Sequence, residues 1–141
     1  MNKAAYEYLN GVRWSSLKIM RLIAEKNELE SCLLPAAIRY DKDRVQSSPE
    51  DPMGKIVSQV MEKEGEIKEA MLEKAQRIKE ISETIGKLDR PEEKTVLTLY
   101  FIERKRIKDI ADMMDYSTDG VYGIRRKACD NIVKFIPQNQ K

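Results

Sequence analysis

Apolar residues recur along this chain at intervals of three and four, which is the spacing of one face of an α-helix. No stretch shows the alternation of apolar and polar residues that marks a half-buried strand. The pattern therefore predicts an all-α fold. We divide the chain into an N-terminal helix (1–39), a connector (40–52), a long coiled-coil-like helix (53–88) and a C-terminal domain (89–141).

The N-terminal helix is predicted from an apolar stripe that includes Leu9, Val12 and Ile19. Pro35 disfavours helical geometry at the residue before it, so it predicts a helix stop, although a kink would also fit. The connector that follows has two prolines, two serines and no periodicity. At its end, Asp51 suits the N-cap of the next helix and Pro52 suits the first helical position.

Residues 53–88 carry the clearest periodicity in the sequence. Nine of the eleven positions at alternating spacings of four and three are apolar, which predicts a coiled-coil seam. The two polar positions are Glu64 and Lys74, and they favour one register. Two partners remain open, namely the N-terminal helix of the same chain and a second copy in a homodimer through residues 53–88. The seam positions are Met53, Val57, Val60, Glu64, Ile67, Met71, Lys74, Ile78, Ile81, Ile85 and Leu88.

The C-terminal region is predicted to contain three short helices, over about 91–103, over 107–114 and from Ser117 onward. Asp115, Tyr116 and Ser117 lie between the last two helices. A short turn of this kind needs a residue that tolerates a left-handed conformation, as Asp does, and Ser117 can cap the next helix. The arrangement predicts a helix-turn-helix.

Composition excludes several classes of function. The chain has no histidine, and Cys32 and Cys129 are too far apart in sequence to form a metal-binding motif. Zinc fingers of the Cys/His type and Ser-His-Asp or Cys-His catalytic sites are therefore excluded. There is also no phosphate-binding glycine loop, so we expect no enzyme, cofactor or metal.

The expected location is the cytoplasm. No apolar run approaches the roughly 18 residues that a membrane span needs. The N-terminus lacks the apolar core of a signal peptide. Both observations predict a protein that does not contact a membrane.

Charge points to a polyanionic partner. The whole chain has a net charge of only +2, but residues 104–141 hold 9 Lys/Arg against 5 Asp/Glu. A local excess of cations of this kind suits nucleic acid.

The run IADMMDYSTDGVYGIRRKACDNI, residues 110–132, resembles the helix-turn-helix of region four of bacterial sigma factors. The resemblance covers residues 89–135. The remaining layout is similar to that of small sigma-like regulators of phages and prophages in Gram-positive bacteria, the ArpU-type late-gene activators among them. The residues that carry the match are Ile110, Ala111, Tyr116, Ser117, Val121, Ile124 and Ala128.

This resemblance implies a sequence-specific regulator of transcription that binds double-stranded DNA, with RNA polymerase as a further partner. The family usually has long polar residues where this chain has Gly120 and Gly123, which indicates close approach of the backbone to DNA, a helix that becomes ordered on binding, or relaxed selection. The implied base-reading residues are Ser117, Thr118, Asp119, Tyr122, Arg125 and Arg126. The residues predicted to contact phosphate, or otherwise to form a solvated face, are Arg104, Lys105, Arg106, Lys108 and Lys127.

Two alternatives stay open. The C-terminal domain could instead be an interaction module that docks on RNA polymerase or another regulator. Arg125 departs from the family, which often has an acidic residue there that contacts partner proteins as well as the groove, so the family's contact with an activator is not carried over to Arg125. A phage DNA-packaging recognition subunit would also combine a helix-turn-helix with an oligomerising helix.

Overall fold

A computed structural model describes the backbone of residues 2–43 and 51–137, and the side chains of residues 2–33 and 51–137. All regular structure within those residues is helical, which confirms the all-α prediction. A π-helical segment, Thr98–Ile102, continues α4, and a 3-10 turn, Val133–Phe135, follows α6. The α-helices are α1 (Lys3–Leu9), α2 (Gly11–Asp43), α3 (Pro52–Gly86), α4 (Pro91–Leu97), α5 (Ile107–Met114) and α6 (Thr118–Ile132).

The predicted N-terminal helix is divided into two helices, and the second of them extends beyond the predicted stop. The break lies at Asn10, after α1, whose first turn is capped by the Asn2 side chain accepting from the Ala5 N–H at 3.0 Å. Pro35 does not end α2, which runs on to Asp43. A proline removes one N–H donor and disturbs one carbonyl, a local loss within a helix of 33 residues. Residues 44–50 of the predicted connector lie outside the described residues.

The start of the long helix is as predicted. Asp51 accepts a hydrogen bond from the Met53 N–H at 3.2 Å, and Pro52 is the first residue of α3. The helix ends at Gly86, before Pro91 starts α4. Local signals, a cap and two helix-breaking residues, therefore set both ends.

The chain forms two compact units, and the first consists of Met1–Ser15 and Lys74–Lys141. Its core combines α1 and the start of α2 with the end of α3 and the C-terminal helices. Tyr8 donates a hydrogen bond to Thr84 at 3.0 Å, because the Thr84 hydroxyl itself donates to the Glu80 carbonyl. The C-terminal region therefore shares its core with residues that precede 89. The core residues are Ala5, Tyr8, Leu9, Val12, Ile81, Ile85, Leu88, Leu97, Phe101, Ala128, Cys129 and Ile132.

The second unit, Ser16–Glu73, is a pair of antiparallel helices. Residues early in α2 meet residues late in α3, as in the ion pair between Lys18 and Glu73 at 3.4 Å. Later in α2, Glu25 pairs with Lys63 at 2.7 Å, and this ammonium lowers the pKa of the Glu25 carboxyl. Of the two partners left open, the N-terminal helix of the same chain is thus the one that packs against α3 here. The buried cluster of the unit is Ile19, Leu22, Ile67 and Ala70.

The face of α3 that meets α2 differs from the predicted seam. Val60 and Ile67 are buried as expected, but Ala70, outside the predicted seam, is buried with them. Met71 is instead 50% exposed and Val57 43% exposed. The residues of α2 that are buried in this unit, Ile19 and Leu22, cluster with Ile67 and Ala70, so the covered face of α3 is displaced toward Ala70 and away from Val57 and Met71.

Candidate nucleic-acid interface

The turn between α5 and α6 has the geometry that the sequence predicts. Asp115 adopts the left-handed conformation at φ 63° and ends α5. The Tyr116 N–H then donates to the Ala111 carbonyl at 2.9 Å, which satisfies a carbonyl at the helix end. Ser117 is the N-cap of α6, and its hydroxyl accepts from the Gly120 N–H at 3.0 Å. These bonds fix the direction in which α6 leaves α5.

A small apolar cluster holds α5 against α6. Ile110 and Val121 are fully buried, and Ala111 is 3% exposed. Val96 of α4 and Leu99 of the π-helical segment complete the buried cluster. The small side chain of Ala111 lets the two helices approach closely, because a larger residue would separate them. Packing of this kind fixes α6 as a rigid support for the side chains on its outer face.

The outer face of α6 presents most of the predicted base-reading residues. Thr118, Tyr122 and Arg126 follow one another at four-residue spacing and therefore share one side of the helix. All three are exposed, and so is Asp119 in the first turn. Ser117 is exposed too, but its hydroxyl is occupied by the cap.

Arg125 is placed differently from the other predicted base-reading residues. Its guanidinium lies over three tyrosine rings, at 4.8 Å from the centre of Tyr100, 5.1 Å from Tyr122 and 5.7 Å from Tyr6. Its Nε atom is buried without a hydrogen-bond partner. The contact with the rings compensates in part for the burial of this polar atom. Because this placement favours packing over base contact, we do not count Arg125 among the base-reading residues.

The tyrosines around Arg125 join α1 to the C-terminal helices. The hydroxyls of Tyr6 and Tyr100 are 3.4 Å apart, and both rings meet Phe101 edge to face. Burial raises the pKa of Tyr100, and the hydrogen bond with Tyr6 acts in the same direction, whereas the charge of Arg125 lowers it. Sequence analysis missed this group, because no local pattern links residue 6 to residues 100 and 125.

The residues predicted to contact phosphate lie mainly in the segment before α5. Arg104 is exposed and left-handed at φ 56°, and it turns the chain between the π-helical segment and α5. Arg106 is the N-cap residue of α5, and its side chain pairs with Asp109 at 3.1 Å. Lys105 lies 3.8 Å from Glu103. Ion pairs this exposed are weak, so a phosphate could replace either carboxylate.

Two further cations are exposed and lack an ion pair among the described residues. Lys108 lies in the first turn of α5, and Lys127 lies next to Arg126 on α6. Both can take part in a phosphate contact without breaking another bond. They are therefore the clearest positions at which to test such a contact.

An open depression of about 500 Å³ borders the start of α6. Glu92 and Asp115 contribute carboxylates to its lining, beside Tyr116, Ser117, Gly120 and Ile124. Carboxylates repel phosphate, so this depression does not form part of a phosphate contact. Its charge suits a cationic group.

Two buried polar groups, one on α4 and one on α6, have structural roles. The carboxylate of Glu93, which is 4% exposed, accepts from the Asn131 amide at 3.1 and 3.2 Å. This pair ties the start of α4 to the end of α6. Burial raises the pKa of the Cys129 thiol to about 11, so the thiol stays protonated and unreactive at neutral pH.

Other kinds of site find little support in the part of the chain that the structure describes. No group of three metal-ligating side chains occurs among those residues. None of their helices carries an apolar stretch sufficient to cross a bilayer. The outer face of α6 and the cations near it form the candidate site.

Comparisons with known proteins place the chain in a family without naming its activity. Neither the curated proteins nor the solved structures contain a match to it. One family model matches residues 34–132, which include the end of α2 and all of α3, α4, α5 and α6. Because this match covers more than half of the chain, the protein belongs to the family described as Protein of unknown function (DUF1492).

Proposed function

We propose that this protein is a sequence-specific, double-stranded DNA-binding regulator of transcription. It acts in the cytoplasm, is phage or prophage encoded, and reads the major groove with α6. The observation that carries the proposal is the α5–α6 turn, with left-handed Asp115 and the Ser117 cap, which supports an exposed face on α6. A helix held in this way by a preceding helix is the form in which helix-turn-helix proteins present side chains to bases.

The chemistry of the exposed face suits base edges. The Arg126 guanidinium can donate two parallel hydrogen bonds to a guanine, which is the commonest specific contact in the major groove. The Asp119 carboxylate can accept from a cytosine amino group, and the Thr118 methyl can contact a thymine methyl. Tyr122 lies beside them, with one face of its ring under the Arg125 guanidinium. The face thus combines a donor, an acceptor and an apolar group.

The cations near α5 and α6 supply the sequence-independent part of the interaction. Arg104, Lys105, Arg106, Lys108 and Lys127 would contact phosphates and set the register of α6 in the groove. Each phosphate contact releases counterions, so affinity should fall with salt. Sequence dependence should come from α6 alone.

The first test is selection of bound duplexes from a random pool by the full-length protein, followed by sequencing. We expect a recurrent motif. The motif then serves as the probe for variants, measured by fluorescence anisotropy at several salt concentrations. Arg126→Ala should weaken binding by about 1–3 kcal/mol and relax the preference at one base pair. Lys108→Ala should weaken binding to all sequences alike and reduce the salt slope by about one.

Lys79→Ala is the matched control, because it removes the same charge from an exposed site on α3. It should leave affinity and salt slope unchanged. If a folded protein yields no motif and binds all duplexes alike, the proposal is wrong. The acidic depression at Glu92 and Asp115 would then favour the alternative, a module that docks on a cationic surface of RNA polymerase or another regulator.

A further inference from the structure

Helix α3 carries a second row of positions that its own chain leaves uncovered. The row runs at spacings of four, three, four and three, and we call it the outer row. Met61 is 64% exposed, Met71 is 50% exposed and Val57 is 43% exposed. Two exposed charged residues occupy its centre. The members of the outer row are Val57, Met61, Glu64, Lys68 and Met71.

The spacing of the outer row is that of a coiled-coil seam. It lies next to the face of Val60, Ile67 and Ala70, which are buried within the chain, and is rotated away from that face around α3. Exposed apolar residues usually occur singly on a protein surface. Here three large apolar side chains share one exposed row on a regular helix, which is typical of an interaction surface. A seam of this kind buries its apolar residues when another helix with matching positions packs against it.

The order of residues in the outer row identifies that helix. When the row is reversed about a point midway between Glu64 and Lys68, the acidic position coincides with the basic one and the two methionine positions coincide with each other. If a second copy of α3 lies antiparallel across this point, Glu64 faces Lys68 of the second copy and Met61 faces Met71 of the second copy. Because the arrangement has two-fold symmetry, each of these pairs occurs twice. A parallel copy would instead oppose Glu64 with Glu64 and Lys68 with Lys68, which is repulsive.

The charged groups at the centre are able to form these pairs. Lys68 has no ion-pair partner among the described residues, and its side chain is exposed. Glu64 pairs through one oxygen with Lys26 at 3.4 Å, so its other oxygen can accept from a second ammonium. The side chain of Glu64 retains 49% of its exposure beside Lys26.

We propose that two copies of this chain associate through the outer row, with their α3 helices antiparallel. The outer row shares Val57, Glu64 and Met71 with the predicted homodimer seam, whereas the seam positions Val60 and Ile67 are buried within the chain. The association therefore uses the edge of that seam which α2 leaves exposed. The inference is independent of DNA binding, since it concerns only α3. Charged residues at the centre set orientation and register, and the methionines and Val57 supply apolar contact.

Sedimentation equilibrium of the full-length protein over a range of concentrations tests the association. We expect a reversible dimer. Lys68→Glu should raise the dimer dissociation constant by about tenfold or more, because two like-charged pairs replace two opposite ones. Combining it with Glu64→Lys exchanges the charges and should restore the dimer. Lys79→Glu makes the same charge change at an exposed site outside the row and should have no effect.

Circular dichroism on every variant confirms that the helices are retained. Glu64→Lys also removes the exposed ion pair with Lys26, a loss that contributes little to folding. A wild-type protein that stays monomeric at the highest concentration would overturn the proposal. So would a dimer that Lys68→Glu leaves unchanged.

Disulfide trapping tests the antiparallel orientation separately. In a Cys32→Ser background, chains with Met61→Cys are mixed with chains with Met71→Cys and oxidised. We expect cross-linking between the two kinds of chain. Chains of one kind should cross-link poorly among themselves. In the antiparallel pair, position 61 of one copy and position 61 of the other are offset by ten residues, which is about 15 Å along the helix axis. A disulfide needs Cα atoms within about 7 Å. Efficient cross-linking of Met61→Cys chains alone would show a parallel pair and contradict the proposal.

Discussion

Arg125 shows how a surface-like residue in a sequence can become part of the packing of a fold. It stands between Ile124 and Arg126 in a run of cations, and nothing local separates it from its neighbour. In the structure its guanidinium lies over Tyr6, Tyr100 and Tyr122, while Arg126 is exposed. The two residues point to different sides because successive residues are 100° apart around an α-helix of 3.6 residues per turn.

We expect Arg125→Ala to lower the free energy of unfolding by about 1–3 kcal/mol, because three rings lose their cation and the aliphatic stem that packs on them. Arg125→Lys should recover part of the loss, since an ammonium keeps the charge but not the planar stacking surface. Urea denaturation measures both changes.

Arg126→Ala is the control for this prediction, because it removes an adjacent and exposed guanidinium. Its effect on stability should stay within about 0.5 kcal/mol. Equal effects of the two substitutions would contradict the structural role of Arg125.

At the scale of the element, most local sequence signals in α6 favour a helix, and two glycines disfavour it. The Ser117 cap and the apolar positions Val121, Ala128 and Ile132 specify the helix. Gly120 and Gly123 weaken it, and neither has a positive φ that would require glycine. Their surroundings differ. A Cβ at Gly123 would meet nothing within 4 Å, whereas a Cβ at Gly120 would lie 3.2 Å from the Ser117 hydroxyl.

We therefore expect Gly123→Ala to raise the free energy of unfolding by about 0.5–1 kcal/mol through helix propensity alone. Gly120→Ala should gain less, because the capping hydroxyl must shift. Thermal and urea unfolding of the two variants give the comparison.

The same pair of variants bears on the outer face of α6. If Gly123→Ala is more stable but binds the selected duplex more weakly, the glycine is explained by close approach to DNA. Unchanged binding would indicate that the position is not under that constraint. A loss of stability in Gly123→Ala would contradict the open space at this position.

Helix α3 also shows why an element cannot be assigned one face from periodicity alone. Its heptad pattern extends over the whole helix, but α2 covers Val60, Ile67 and Ala70 and leaves Val57 and Met71 exposed. An apolar row predicts that a helix packs against another element, but the position of that element determines which side of the row is buried. The outer row consists of positions on the side of α3 that α2 does not cover.

At the scale of the whole molecule, the C-terminal region shares its hydrophobic core with α1 and with the end of α3. Phe101, Ala128 and Cys129 are buried together with Leu9 of α1 and Ile85 of α3. The sequence places a domain boundary at residue 89, since helix-breaking residues cluster there. The compact unit instead includes Met1–Ser15 and the end of α3 from Lys74 onward.

This arrangement predicts that a fragment of residues 89–141 does not fold cooperatively by itself. Removing the remainder would expose several fully buried apolar side chains, each worth about 1.5–3 kcal/mol when buried. Near-ultraviolet circular dichroism and amide dispersion in NMR spectra of the fragment measure the loss. The full chain is the control, and a fragment with dispersed spectra and a sharp thermal transition would show that the prediction is wrong.

The amino-acid sequence by itself determined the all-α class, the ends of α3 and the α5–α6 turn. These features depend on interactions between residues a few positions apart, as with Asp115 in its left-handed conformation and Ser117 as a cap. Only the tertiary structure decided which face of α3 is covered, where the Arg125 charge lies and that α1 completes the C-terminal core. Those outcomes depend on contacts across as many as 119 positions, from Tyr6 to Arg125, and a local pattern of residues holds no information about its distant partner.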